Sequence, residues 1–340
     1  MHDLLNFSAP KKGVYIMKVL LAVDQSRNSS AAVKFVEALR FPARSTVYLL
    51  YVEETQAELE GQDHFPRMFG QLREELSNMR QKTMEKARQL VNRLATTFRK
   101  QGLKVYPEVV EGMPAPEILT AVEQQQIDLV VVGTKGLSGM KRFLLGSVSE
   151  WVLHDVLCSV LVVRGRPRWA AATSSRGIHV LLAMDGSQDS WNAVAFLKTL
   201  HLPCSSHLTI LHVVEKPAAL IALAWVSAHI DTTTFSEDCS RTGQQAGAQL
   251  LGNTQRDLMQ EGFTVETKLT EGHAADEILK VAHTVRADLI VVGSKGVTGL
   301  RRLMMLGGVS HKVVRHARCS VLVVRKPEKV TNRETPHGAT

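Results

Sequence analysis

Residues Asp128–Val132 read DLVVV, and residues Gly133–Ser147 continue as GTKGLSGMKRFLLGS. Four consecutive aliphatic residues closed by a glycine describe a strand buried on both faces, as in a parallel sheet covered by helices. In such sheets ligands bind beyond the carboxyl ends of the strands, so the residues leaving this strand carry the functional question. They include four glycines and three basic side chains, Lys135, Lys141 and Arg142. Glycine permits positive φ and close approach of backbone to a ligand. The helix predicted from Ser147 would present free N–H groups and the positive end of its dipole to an anion. Two readings fit. In one, Ser147 and Glu150 form a capping box (SVSE) and Gly133 and Gly136 are turn residues. In the other, the segment cradles a phosphate. Neither a GxxxxGK[ST] loop nor a GxGxxG fingerprint is present.

The stretch occurs twice. DLVVVGTKG at 128–136 returns as DLIVVGSKG at 288–296, and CSVLVVR at 158–164 returns unchanged at 319–325. KVLLAVDQS, ending at Ser26, returns as HVLLAMDGS, ending at Ser187, and EGMPAPEIL at 111–119 returns as EGHAADEIL at 271–279. The offset of 160 or 161 residues is the size of a domain, too long for a solenoid repeat. Two homologous domains are therefore predicted, at 17–165 and 177–326, with a tail at 1–16, a linker at 166–176 and a polar tail at 327–340. Within each unit aliphatic strands alternate with helical patterns, including a long polar helix over about 67–101. The predicted fold is α/β, two tandem doubly wound parallel-sheet domains of the flavodoxin or Rossmann kind.

Composition narrows the function. The chain of 340 residues is 44% apolar and 22% charged, ordinary for a globular protein. Its net charge of +8 favours anionic partners, but no block of like charges and no interleaved aromatics support nucleic acid. Small anionic ligands are expected instead. The cysteines Cys158, Cys204, Cys239 and Cys319 form no CxxC pair, which argues for a reducing, cytoplasmic setting. No apolar run reaches the length of a membrane span.

The spacing Gly133-x2-Gly136-x9-Gly146-Ser147 resembles the G-2x-G-9x-G-(S/T) motif of ATP-binding universal stress proteins. The opening VLLAVD, the EG-x-PA-x-EIL segment and the closing CSVLVVR extend the resemblance over both halves. It implies a flavodoxin-like domain holding ATP, with Mg²⁺ or Mn²⁺ on the phosphates. It also implies roles for residues. Asp24, with Ala22 and Val23, matches the acid near adenine and ribose, and Val52 matches the residue packed on adenine. Gly133, Gly136, Gly146, Ser147, Val148 and Ser149 match the ribose- and phosphate-binding positions. No protein metal ligand is implied.

The second half departs from the motif. Ten residues instead of nine separate Gly296 from Gly307-Gly308, Gly308 replaces the serine, and His311 stands where Glu150 was. Asp185 and Val213 persist, so Asp185, Val213, Gly293, Gly296, Gly307, Gly308, Val309 and Ser310 form a weaker second set with an altered phosphate end. His154/Cys158 and His316/Cys319 read as helix-end and strand residues rather than metal ligands. The pairs Lys141-Arg142 and Arg301-Arg302 fit a solvated face or a phosphate neighbour equally. A last apolar run, PAALIALAWVSAHI at 217–230, fits either core packing or a contact surface.

These features lead to a nucleotide-dependent sensor or regulator of the stress-response type. The alternatives are a slow ATPase or autophosphorylating enzyme, and a nucleotide-independent dimerising scaffold. The aliphatic edge strands CSVLVVR are expected to pair with each other, giving an internal pseudo-dimer, with a homodimer also possible.

Overall fold

The computed structural model describes residues 16–39, 41–42, 44–54, 70–134, 145–165, 169, 177–203, 205–215, 232–295 and 307–325. Gly136, Gly296, the basic residues Lys135, Lys141, Arg142, Arg301 and Arg302, and the run at 217–230 lie outside the described residues.

The first half runs β1 (Lys18–Val23), α1 (Arg27–Ala38), β2 (Thr46–Glu54), α2 (Gly70–Lys100), β3 (Lys104–Gly112), α3 (Pro114–Gln125), β4 (Leu129–Gly133), α4 (Ser147–Asp155) and β5 (Ser159–Val163). The second runs β6 (His179–Ala183), α5 (Gln188–Thr199), β7 (His207–Val214), α6 (Thr232–Gln260), β8 (Thr264–Glu271), α7 (Ala274–Thr284), β9 (Leu289–Gly293), α8 (Gly308–His316) and β10 (Ser320–Val324). Each half is a doubly wound α/β unit with a parallel five-stranded sheet, and the two sheets join into one of ten strands. Its order is β3-β2-β1-β4-β5-β10-β9-β6-β7-β8.

Helices cover both faces, which is why the strands are aliphatic throughout rather than alternating. Val19, Leu21 and Val23 of β1 face a core built with α1 and α2, while Leu20 faces a second core built with α3 and α4. Both cores contain residues of both halves, so the sheet separates two layers that each run the length of the molecule. The aspartate that opens each DLVVV-type strand fixes the neighbouring strand's start. Asp128 Oδ2 accepts the Lys18 N–H at 2.8 Å, and Asp288 Oδ2 accepts that of His179 at 2.9 Å.

The join between the halves has local two-fold symmetry. β5 and β10 pair antiparallel with Leu161 opposite Leu322, its own counterpart in the repeat. Around this point the halves exchange arginines. Arg325, buried at 7% exposure, donates through Nη2 to the Leu153 carbonyl at 2.6 Å and through Nη1 to that of Val156. These are last-turn groups of α4, which have no partner within the helix. Reciprocally, Arg164 Nη2 donates to the Val314 carbonyl of α8 at 3.1 Å.

Between the halves, Trp169 is 4% exposed and meets Phe35 of α1 edge-on, with ring centroids 5.1 Å apart. The segment read as a plain linker therefore contributes a core residue.

Candidate functional site

The strand order reverses between β1 and β4, and again between β6 and β9, so each half has its switch point where the repeated motif leaves the sheet. In the first half the chain turns sharply after Val23. Asp24 Oδ1 accepts the Ser26 N–H at 2.9 Å, and the Asp24 N–H donates to Ser29 Oγ at 3.0 Å. Ser26 in turn caps α1 by accepting the Ser29 N–H at 3.1 Å. These bonds fix the Asp24 carboxylate at the mouth of the sheet.

Across the switch point α4 begins. Its N-cap is Gly146, at φ −73°, and among the described residues no side chain caps its N–H groups. This corrects the capping-box reading: Ser147 is the first helical residue and is exposed, and Glu150 lies 3.7 Å from Nε2 of His311. The Gly146 N–H donates to the Thr134 carbonyl at 2.7 Å, clamping the helix start onto the exit of β4. Ser149 is only 3% exposed, and its Oγ donates inward to the carbonyls of Gly133 at 2.9 Å and Thr134 at 3.2 Å. Its hydroxyl therefore braces the mouth, while Ser147 keeps the accessible one.

Ala22, Val52 and Val148 gather on the α3/α4 face of the sheet, partly buried. Val110, paired with Val52 in register, joins them and had no motif to mark it. Val23 points away, into the opposite core.

The glycines serve differently from the expectation of positive φ. Gly146 and Gly307 are extended, at −73° and −71°. A Cβ at Gly133 would lie 2.9 Å from the Asn28 backbone of α1, and one at Gly293 would lie 2.8 Å from that of Asp189. Both positions are glycine because a helix start packs directly on the strand end.

The second half repeats the frame. Asp185 Oδ1 accepts the Ser187 N–H at 2.9 Å, Gly307 N–H donates to the Ser294 carbonyl at 2.7 Å, and Ser310 Oγ donates to the same carbonyl at 3.1 Å. Ala183 and Val213 pack as Ala22 and Val52 do, though Val213 pairs with Thr270 rather than a valine, and Val309 is exposed. The inserted residue falls among 296–306, outside the described residues. Among the described residues the altered phosphate end shows Gly308 in place of Ser147 and His311 in place of Glu150, with open space around Gly308.

One difference escaped the motifs. Asn28 of α1 corresponds to Asp189 of α5. Asp189 Oδ2 accepts both Ser294 Oγ at 2.6 Å and the Lys295 N–H at 2.9 Å, so a carboxylate occupies the first residues leaving β9. Its only sequence signal is an acid in the first turn of a helix, which the helix dipole favours anyway.

Elsewhere, burial pushes the thiols of Cys158 and Cys319 up to about 12, far from the thiolate a metal would need. Among the described residues no group of three or more His, Cys, Asp or Glu stands together as a metal site. No described helix is long and apolar enough to cross a membrane.

The fold and these mouths define a tandem α/β protein with a helix N-terminus led by a glycine N-cap at each switch point. The chain belongs to the universal stress protein family, whose model matches residues 16–164 and again 179–325. A universal stress protein of Mycolicibacterium smegmatis is 29% identical over 311 residues, spanning 90% of this chain and 96% of that protein. Universal stress protein YxiE of Bacillus subtilis is 35% identical over 150 residues, 43% of this chain and 97% of its own length. The crystal structure of a universal stress protein from Archaeoglobus fulgidus superposes with a TM-score of 0.55 at 23% identity. It covers 93% of this chain and 99% of its own, a likeness of fold.

Proposed function

We propose that the first half holds an adenine nucleotide, ATP with Mg²⁺ or Mn²⁺, and that the protein acts as a nucleotide-dependent sensor or regulator. The observation that carries this reading is the start of α4. Its N–H groups have no side-chain cap among the described residues, are clamped at the β4 exit, and lie at a switch point beside Asp24. Free N–H groups and the helix dipole suit a phosphate. The partly buried patch of Ala22, Val52, Val110 and Val148 offers an apolar face for a base. With no cluster of protein ligands among the described residues, the divalent ion would be carried by the phosphates.

Binding is favoured over turnover. Ser149, one of two hydroxyls available for autophosphorylation, is buried and spends its proton on two carbonyls. Ser147 is the exposed alternative and the acceptor to examine if phosphate transfer occurs. With β5 and β10 paired to each other, a homodimer of the whole chain would need another surface. The test is to denature the purified protein and measure released adenine, then to follow ADP from added ATP over hours. Adenine without ADP supports the sensor, accumulating ADP supports the enzyme, and a folded protein that neither carries nor takes up nucleotide refutes both.

A further inference from the structure

The two mouths share one frame but differ in charge at a position built into that frame, and this difference predicts which of them accepts a nucleotide. In the second half Asp189 sits in the first turn of α5, and its carboxylate holds the exit of β9. One oxygen accepts Ser294 Oγ at 2.6 Å and the Lys295 N–H at 2.9 Å, while Ser187 Oγ donates to the Lys295 carbonyl at 3.3 Å. The Lys295 peptide is thus gripped at both ends by the start of α5. The carboxylate is also tied to the helix that would receive a phosphate. Ser294, which donates to Asp189, accepts from Gly307 N–H at 2.7 Å and from Ser310 Oγ at 3.1 Å at the start of α8.

We infer that Asp189 is an internal anion that closes the second mouth to nucleotide, and that Asn28 at the same position leaves the first mouth open. The inference rests on the nucleotide reading of the first half. Its physics is simple. A phosphate at the start of α8 would meet a fixed like charge that Ser294 ties to that helix start, and like charges placed together across a recognition surface are strongly disfavoured. Asn28 packs against Gly133 as Asp189 packs against Gly293, with Cβ-equivalent distances to the helix backbone of 2.9 and 2.8 Å, so the position is conserved in shape and changed in charge. Asp189 also favours the charged form of the Arg325 guanidinium, which burial disfavours. Asp189 is a specificity-determining residue by exclusion, a repulsive element rather than a new contact.

The test is calorimetric titration of MgATP into four full-length chains: the unaltered protein, Asn28→Asp, Asp189→Asn, and Asp189→Asn combined with Gly308→Ser. Asparagine keeps the size of the Asp189 side chain and removes its charge. The serine supplies the hydroxyl of the first half in open space. Asn28→Asp adds an acid to the first turn of α1, which the helix dipole tolerates, and a thermal melt checks that the fold is kept. The unaltered chain is expected to bind one nucleotide, Asn28→Asp to bind it at least tenfold more weakly, and both Asp189→Asn chains to gain a second site. Two sites in the unaltered chain, an Asn28→Asp affinity within twofold of the original, or no second site in either Asp189→Asn chain would each overturn the inference. If the unaltered chain binds one nucleotide and the variants change nothing, this inference fails alone. If no chain binds, it fails together with the nucleotide reading.

Discussion

Glu150 of α4 and His311 of α8 face each other at 3.7 Å across the join of the two halves, although they occupy the same position of the repeat. A residue near a two-fold axis meets its own copy, so a pair of identical halves would set glutamate against glutamate. Here a histidine takes one of the two places, so no pair of like charges forms. His311→Glu is expected to cost about 0.5–1 kcal/mol, because both side chains are 41% exposed and solvent screens them. Urea denaturation at low and high salt checks this: the loss should shrink as salt rises. A loss that is unchanged by salt would point to packing instead.

The exchanged arginines should matter far more. Arg325→Ala leaves two last-turn carbonyls of α4 without their donors and is expected to destabilise the chain by about 2–4 kcal/mol. Arg325→Lys should recover only part of this, since an ammonium lacks the planar fork that spans two carbonyls. Arg164→Ala, which removes a single bond to Val314, should cost less. Equal losses for the two arginines in chemical denaturation would contradict the asymmetry.

The thiols of buried Cys158 and partly buried Cys319 give a pH dependence. Cys158 and Cys319 are pushed by burial from 9.0 to about 12. In that window the unfolded chain releases thiol protons that the folded chain retains, so unfolding is favoured as pH rises. Their contribution is complete below pH 9.0 and is lost between there and about 12. Changing both residues to alanine should flatten the decline in stability above pH 9.0. In a chain with Cys204 and Cys239 changed to serine, a thiol reagent should act slowly until urea unfolds it. Rapid native labelling would contradict the burial.

The glycines separate into two kinds. Gly133→Ala and Gly293→Ala force a Cβ to within 2.9 Å of helix backbone and should destabilise their halves, with no ligand involved. Gly308→Ala meets nothing within 4 Å and should leave stability unchanged or raise it by up to about 1 kcal/mol through lost freedom of the unfolded chain. Thermal melts without nucleotide distinguish these outcomes; a neutral Gly133→Ala would show that α1 can yield.

Much of this was legible in the sequence because repetition and periodicity record it. Continuous aliphatic runs such as DLVVV mark strands covered on both faces, and their return at a domain-sized offset marks the second half. Asp24 and Gly146 could be placed because a strand end and a helix start are local events. What stayed hidden depends on tertiary approach. Gly133 reads as a ligand contact in the sequence, and its close packing on Asn28, of a helix far away in the chain, leaves no local trace there. Trp169 sat among Pro, Gly and Ser, and only the packed structure shows it against Phe35. Asp189 was masked because an acid in a first helical turn already has a sufficient local reason. Arg325 closed a strand in the sequence and caps a helix of the other half in space.

The central claim is that the start of α4 receives nucleotide phosphates while the matching start of α8 does not. Amide hydrogen exchange of the full-length chain, with and without MgATP, tests it most directly. The account predicts new protection at Ser147–Ser149 and around Asp24, with Val309–Ser310 and Asp185 unchanged. Protection at the second set alone, at both sets equally, or at neither under saturating nucleotide would contradict it.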